Sequence, residues 1–217
     1  MSSHAAAVPS ARRPMPGIDV YNMKLGMWIF LLSEVMFFTS LIGAYIILRF
    51  ASPEAFAAPG EVLNVPLTGF NTFVLICSSV TMVKAFAAIE NGDQKGLRKW
   101  LLATILLGSF FVGVQVVEYR VLSHEGFVPM ADAYNAIGRQ GGTEVLGGPL
   151  YGATFYTMTG FHGAHVTIGV LALTFVAIRA FMGKYTQASH GGVEIVGLYW
   201  HFVDLVWIIL FTIVYLI

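Results

Sequence analysis

The sequence predicts an all-α fold, a polytopic membrane helix bundle with five transmembrane helices. Of its 217 residues, 57% are hydrophobic and only 11% are charged, whereas a soluble globular domain carries about 25% charged residues. Five segments have the roughly 20 predominantly apolar residues that cross a bilayer as a helix. The longest stretch between them, residues 121–149, is rich in glycine and has no periodic pattern, which indicates a loop.

The five apolar segments cover residues 24–50, 70–89, 100–119, 151–181 and 193–217. The fourth is longer than a bilayer requires, which predicts a tilt or a start outside the hydrocarbon. Residues 1–23 precede them as an N-terminal tail without the continuous apolar core of a cleavable secretory signal. Small residues four apart, such as Ser109 and Gly113, predict close helix packing. We therefore expect a cytoplasmic tail followed by one membrane domain over residues 24–217.

Lysine and arginine predict the orientation of these helices. If the N-terminus is cytoplasmic, the inner side holds nine of the twelve Lys and Arg residues, and only Arg49, Arg120 and Arg139 lie outside. We therefore expect a cytoplasmic N-terminus and an external C-terminus. The formal net charge is zero, so the composition gives no electrostatic argument for binding nucleic acid.

Five ionisable side chains interrupt the apolar segments: Glu34, His162, His165, His201 and Asp204. On insertion scales a charged side chain at the bilayer centre costs about 2.5–3.5 kcal/mol, so such groups need partners. The spacing of three within each of two pairs, His162 with His165 and His201 with Asp204, puts each pair on one helix face. From the helical rise, all five lie within the central ~12 Å of the membrane.

Three interpretations of these polar groups remain open from the residues alone. They can be polar pairs that fix helix packing, with Glu34 bonded to His165 and with His201 and Asp204 satisfied mutually or externally. They can ligate haem or a metal ion, or they can form a proton or ion relay. No catalytic residue is predicted, because the chain has no Ser-His-Asp arrangement in context, no Cys-x-x-Cys and no phosphate loop. Glu118, next but one to Arg120, is expected to form an interfacial pair with it.

Four stretches occur in order along the chain: residues 25–38 around Glu34, Val65-Pro66-Leu67 with Asn71-Thr72, residues 151–166 with GFHGAH at 160–165, and residues 199–207 with YWHFVD at 199–204. Together they resemble subunit III of the haem–copper terminal oxidases, cytochrome c oxidase in particular. The resemblance runs from about residue 24 to the end. Mitochondrial-type members have seven spanning helices, and the first helix here matches their third. Five helices are typical of bacterial members, which include quinol oxidases.

The resemblance implies an accessory subunit without haem, copper or another metal of its own. Haem and copper belong to subunits I and II, and the family packs against subunit I, sustains its proton uptake and protects it during turnover. Glu34 matches the family's intramembrane glutamate, and the three histidines and Asp204 match its polar set. Arg179 matches an arginine that can meet the phosphate of a bound phospholipid.

The expected function is thus a non-catalytic subunit of a proton-pumping oxidase that passes electrons from cytochrome c to oxygen in the bacterial cytoplasmic (inner) membrane. The alternatives are a subunit of a quinol oxidase, with quinol as the donor, or of a nitric oxide reductase. A free-standing proton or ion transporter would also explain Glu34 and Asp204, but the absence of an inverted repeat counts against it.

Overall fold

The computed structural model describes residues 16–56, 59–127 and 149–216. Five long helices occupy most of these ranges: α1 (Pro16–Ala51), α2 (Val65–Glu90), α3 (Gln94–His124), α4 (Pro149–Phe181) and α5 (Gly191–Phe211). A 3-10 turn, Pro53–Ala55, and a short helix, Pro59–Val62, connect α1 to α2, and a π-type turn, Thr212–Leu216, extends α5. The described ranges contain no named strand, and their five long helices are apolar enough to cross a membrane, which confirms the predicted fold class.

Helix ends depend on capping residues, and this is why α2 and α3 begin before the apolar segments do. The Asn64 side chain accepts a hydrogen bond from the Leu67 amide at 3.1 Å, so α2 begins at Val65 rather than at residue 70. The Asp93 carboxylate accepts from the amides of Lys95 and Gly96 at 3.1 and 2.9 Å, so α3 begins at Gln94 rather than at residue 100. Such caps satisfy amides that have no partner within the helix.

Consecutive spanning helices run antiparallel. Thr68 near the start of α2 meets Glu118 near the end of α3, whereas Thr81 further along α2 meets Thr104 nearer the start of α3. By the same logic α1 and α5 run parallel, because Lys24 and Glu194, each near the start of its helix, form an ion pair at 2.6 Å. We call the end where α1, α3 and α5 begin the N-terminal end of the bundle, and the opposite end the C-terminal end.

Trp200 of α5 is fully buried and packs closely against two neighbouring helices. Its indole lies between two glycines. A Cβ added at Gly108 of α3 would lie 2.5 Å from the ring, and one added at Gly169 of α4 would lie 2.9 Å from it. At Gly113, by contrast, an added Cβ would meet nothing within 4 Å. The close contact predicted at Gly113 is therefore wrong, because that residue lies on the exposed face of α3.

Helix α1 lies at the periphery of the bundle and packs against α4 and α5. The described side chains that it buries are Leu31, Phe38 and Tyr45, which are seven residues apart and form one narrow stripe. Most of its other described side chains are exposed. Two polar contacts add to this apolar packing, Lys24 with Glu194 of α5 and Glu34 with His165 of α4.

Candidate functional site: buried polar groups between the helices

Glu34 and His165 join α1 to α4. The Glu34 Oε2 lies 3.0 Å from the His165 Nε2, and both side chains are largely shielded. The other ring nitrogen of His165, Nδ1, is 2.7 Å from the carbonyl oxygen of Phe161 one turn earlier. Glu34 therefore has the partner that the sequence predicted.

The carbonyl of Phe161 limits where the protons of this pair can lie. A carbonyl oxygen can only accept, so the His165 Nδ1 must carry a hydrogen. The Nε2 then either accepts a hydrogen from a protonated Glu34 or, as part of an imidazolium, donates one to a Glu34 carboxylate. In both arrangements one proton is shared between the two side chains and their total charge is zero. A neutral pair of this kind suits a membrane interior, where a net charge is costly.

His162 lies on the same helix but in a different environment. Its ring is fully buried and stacks on Trp207 of α5, with centroids 4.8 Å apart and planes 28° apart. Phe111 and Phe38 meet it edge-on at 6.1 and 6.5 Å. Neither of its ring nitrogens has a hydrogen-bond partner among the described residues. The structure therefore places His162 in an aromatic cage.

His201 and Asp204 of α5 meet through a third residue rather than directly. The Ser79 Oγ of α2 lies 2.7 Å from the His201 Nδ1, and the same hydroxyl interacts with the Asp204 carboxyl group. The Asp204 Oδ1 has no partner within the described ranges. Of the two predicted possibilities, mutual or external satisfaction, the structure gives the second for His201.

Glu118 is a buried group that the sequence reasoning misplaced. Its side chain is 6% exposed. It accepts hydrogen bonds from Thr68 at 2.8 Å, from the Tyr215 hydroxyl at 3.4 Å and from Gln115 at 3.5 Å. The expected interfacial pair with Arg120 is wrong, because Arg120 lies on the exposed face of α3. The available signal was spacing: Phe111, Gln115 and Glu118 recur at helical intervals on one face.

A row of hydroxyl groups on α2 also went unrecognised in the sequence. Thr72 accepts a hydrogen bond from the Trp207 Nε1 at 2.9 Å, and Ser78 accepts one from the Trp200 Nε1 at 3.0 Å. The Thr81 and Thr104 hydroxyls are 2.8 Å apart. Hydrogen bonds between membrane helices contribute about 0.6 kcal/mol each on average and up to about 1.7 kcal/mol. The row therefore fixes how α2 is rotated against α3 and α5.

Arg179 is exposed at the N-terminal end of the bundle, in the last turn of α4. Its guanidinium lies 5.6 Å from the ring centroid of Tyr185, which is buried in the connection to α5. Burial raises the pKa of the Tyr185 phenol, and the positive charge of Arg179 opposes that rise. Arg179 therefore has an aromatic support on one side and an open approach on the other.

Within the described ranges, no three His, Cys, Asp or Glu side chains converge as metal ligands would.

Comparisons with known proteins agree with this architecture. The profile of the family described as cytochrome c oxidase subunit III matches residues 18–136 and 143–217. A probable cytochrome c oxidase subunit 3 of Mycobacterium tuberculosis (strain H37Rv) is 39% identical over 196 residues, which cover 90% of this chain and 88% of the relative. The cytochrome c oxidase subunit 3 of Synechocystis sp. is 40% identical over 192 residues (88% and 74%). That of Thermostichus vulcanus is 36% identical over 193 residues (88% and 86%).

Proposed function

Because the chain belongs to the cytochrome c oxidase subunit III family, we propose that it is an accessory, non-catalytic subunit of a proton-pumping haem–copper oxidase. In this proposal subunits I and II hold the haem and copper, and the complex passes electrons from cytochrome c to oxygen. This chain packs against subunit I and supports its proton uptake and its stability during turnover. The family membership carries the proposal.

The contacts of the polar set support a structural role for these residues. Glu34 and His165 bond to each other, His201 bonds to Ser79, and His162 stacks on Trp207. All of these contacts join different helices. Groups used in this way fix the rotation of each helix, and therefore the surface that the bundle offers to a neighbouring subunit. The Glu34–His165 pair does this for α1, the helix at the periphery of the bundle.

The proposed location is the bacterial cytoplasmic membrane, with the N-terminal end of the bundle and the residues that precede α1 facing the cytoplasm. Arg179 then lies at the cytoplasmic boundary. Its exposed guanidinium can meet the phosphate of an anionic lipid, which the cytoplasmic leaflet supplies. The orientation follows from the excess of Lys and Arg at that end.

Variants of Glu34 test this assignment of roles. Glu34→Gln keeps a group that can donate to the His165 Nε2, whereas Glu34→Ala leaves that nitrogen without a partner. Ser33→Ala is the matched control on α1, because the Ser33 hydroxyl bonds only to the Phe30 carbonyl of its own helix. We expect all three complexes to purify with full haem content. We expect the number of turnovers before inactivation to fall most for Glu34→Ala, less for Glu34→Gln and not for Ser33→Ala.

Two results would contradict the proposal. Loss of haem from the Glu34→Gln complex would mean that this chain contributes to a redox site. Purification of the chain without other oxidase subunits, active as an ion carrier in liposomes, would mean that it is a transporter. Mass spectrometry of the purified complex and its haem spectrum provide both readouts.

A further inference from the structure

A groove of about 540 Å³ runs between α1 and α5 and is open on its outer side. Its walls are formed by residues that lie three or four apart along one face of each helix. They are Trp28, Leu32 and Val35 of α1, and Leu198, Phe202 and Leu205 of α5. Two of the lining side chains carry polar atoms, the Trp28 indole and the His201 imidazole. This volume lies within the range of about 300–1,000 Å³ that is typical of small-molecule sites, which combine apolar walls with a few polar groups.

His201 lines both this groove and a smaller cavity between α2 and α5. Ser79 holds its Nδ1 at 2.7 Å. The Nε2 makes no hydrogen bond within the described part of the chain, and it is not enclosed as both nitrogens of His162 are. An unsatisfied polar group in hydrocarbon costs several kcal/mol. The Nε2 therefore favours a ligand that brings a hydrogen-bonding atom into the groove.

The depth of His201 decides what kind of ligand can do this. The spanning segment Gly191–Leu216 has 26 residues, so it is about 39 Å long, and His201 lies about 4 Å from its middle. In a hydrocarbon layer about 30 Å thick, His201 is then roughly 11 Å from the nearer boundary, where the ester carbonyls of phospholipids lie. The Lys24–Glu194 ion pair, at 2.6 Å, joins α1 and α5 one turn beyond Trp28 and Leu198. It joins the two walls beyond the end of the groove that is nearest to the headgroups.

From this geometry we propose that the groove binds the ring of a membrane quinone, with a ring oxygen on the His201 Nε2. A quinone carries its carbonyl groups on a flat apolar ring and dissolves in the bilayer interior, so it reaches a depth that lipid esters do not. Trp28 and Phe202 offer flat aromatic surfaces for such a ring. The isoprenoid tail leaves through the open side of the groove into lipid.

Ser79 and Asp204 adapt the site to both redox forms of the ligand. When the His201 Nε2 carries the hydrogen, it donates to a quinone carbonyl, and the Nδ1 accepts from the Ser79 hydroxyl. When the Nδ1 carries the hydrogen, it donates to the Ser79 oxygen, Ser79 turns its own hydrogen to Asp204, and the Nε2 accepts from a quinol hydroxyl. The Asp204 carboxyl group, which interacts with Ser79, can accept that hydrogen. Binding involves no electron transfer at this site.

Photoaffinity labelling of the whole purified complex in phosphatidylcholine nanodiscs tests the proposal. The probe is an azido-ubiquinone with a short tail, and mass spectrometry locates the label. We expect saturable labelling of the peptides around residues 28–35 and 198–205. An excess of decyl-ubiquinone should compete with it, and an excess of oleic acid should not.

Three variants in the groove and one control outside it sharpen the test. His201→Phe keeps a flat ring but removes the hydrogen bond, so the probe concentration for half-maximal labelling should rise about tenfold. His201→Gln restores a group that can donate or accept and should recover part of that loss. Leu205→Trp fills the groove and should abolish labelling, whereas Leu106→Trp, on an exposed part of α3 outside the groove, should not change it. Haem and subunit content show whether each complex is intact. Labelling that does not saturate, that oleic acid displaces, or that Leu205→Trp leaves unchanged would overturn the proposal.

Discussion

Replacing Gly108 with alanine tests the packing at the centre of the bundle. The new methyl group would lie 2.5 Å from Cη2 and 2.8 Å from Cζ2 of Trp200, whereas nonbonded carbon atoms pack best at about 3.5–4.0 Å. The indole would have to move by roughly 1 Å. It cannot move toward α4, because Gly169 already lies against its other face. The hydrogen bond from its Nε1 to the Ser78 Oγ, at 3.0 Å, also restricts movement of the indole.

The size of the effect follows from two opposing contributions. Overpacking a well-packed core costs about 1–3 kcal/mol, while alanine is favoured over glycine in a helix interior by about 1 kcal/mol. Gly113→Ala in the same helix separates them, because its methyl group would meet nothing within 4 Å and only the helix preference remains. We therefore expect the free energy of unfolding of Gly108→Ala to be about 1–3 kcal/mol lower than that of Gly113→Ala.

Unfolding of the full chain in mixed dodecylmaltoside and SDS micelles, followed by far-ultraviolet circular dichroism, measures this difference. Trp fluorescence in the same samples reports whether the buried indoles have moved. Gly163→Ala on α4, where an added Cβ also meets nothing within 4 Å, provides a second control and should resemble Gly113→Ala. If Gly108→Ala proves as stable as Gly113→Ala, the space between Gly108 and Trp200 is less tight than the structure shows. The inference that glycine at position 108 is needed for close packing of α3 against α5 is then refuted.

Two further substitutions test individual contacts in the same assay. Thr72→Val keeps the side-chain shape but removes the acceptor of the buried Trp207 indole, so the free energy of unfolding should fall by about 1–2 kcal/mol. Thr167→Val is the control, because the Thr167 hydroxyl bonds only within its own helix, and it should cost far less. Equal losses would contradict a stabilising role for the Thr72–Trp207 hydrogen bond. Asp93→Ala removes the cap of α3 and should cost about 1 kcal/mol, with faster amide hydrogen exchange in the first turn of the helix; unchanged exchange there would count against the cap.

The sequence predicted the helices better than it predicted their ends or their rotation. Length and hydropathy identify a spanning segment, because the bilayer imposes both. The starts of α2 and α3 depend instead on Asn64 and Asp93, which lie outside the apolar segments. Glu34 and His165 could be paired in advance, since both are costly in hydrocarbon and lie at similar depths. The contacts of His162 depend on the rotation of α5, which brings Trp207 against it, and no local pattern encodes that rotation.

Hydroxyl groups were the main polar signal that the sequence did not reveal. Serine and threonine are common in membrane helices and can bond to the carbonyl one turn earlier, as Thr72 also does with Thr68 at 2.8 Å. A hydroxyl therefore looks satisfied whether or not it contacts another helix. Only the fold shows that Ser78 and Ser79 of α2 meet Trp200 and His201 of α5. Charged residues stand out in an apolar sequence because of their cost, yet hydroxyl groups make most of the hydrogen bonds between α2 and the other helices.

The position of α1 links the proposed function to the groove. One apolar stripe leaves a helix able to slide and to rotate about its axis. Two polar contacts remove that freedom, the Lys24–Glu194 ion pair to α5 and the Glu34–His165 hydrogen bond to α4. Lys24 and Glu34 are separated by about 15 Å along the helix, so together they set both its height and its rotation. They also set the width of the groove, because Trp28 and Leu32 lie between them on α1. A change that loosens either contact should alter both the groove and the surface that α1 offers to a neighbouring subunit. The two proposals therefore predict that the turnover stability of the complex and the occupancy of the groove respond in parallel.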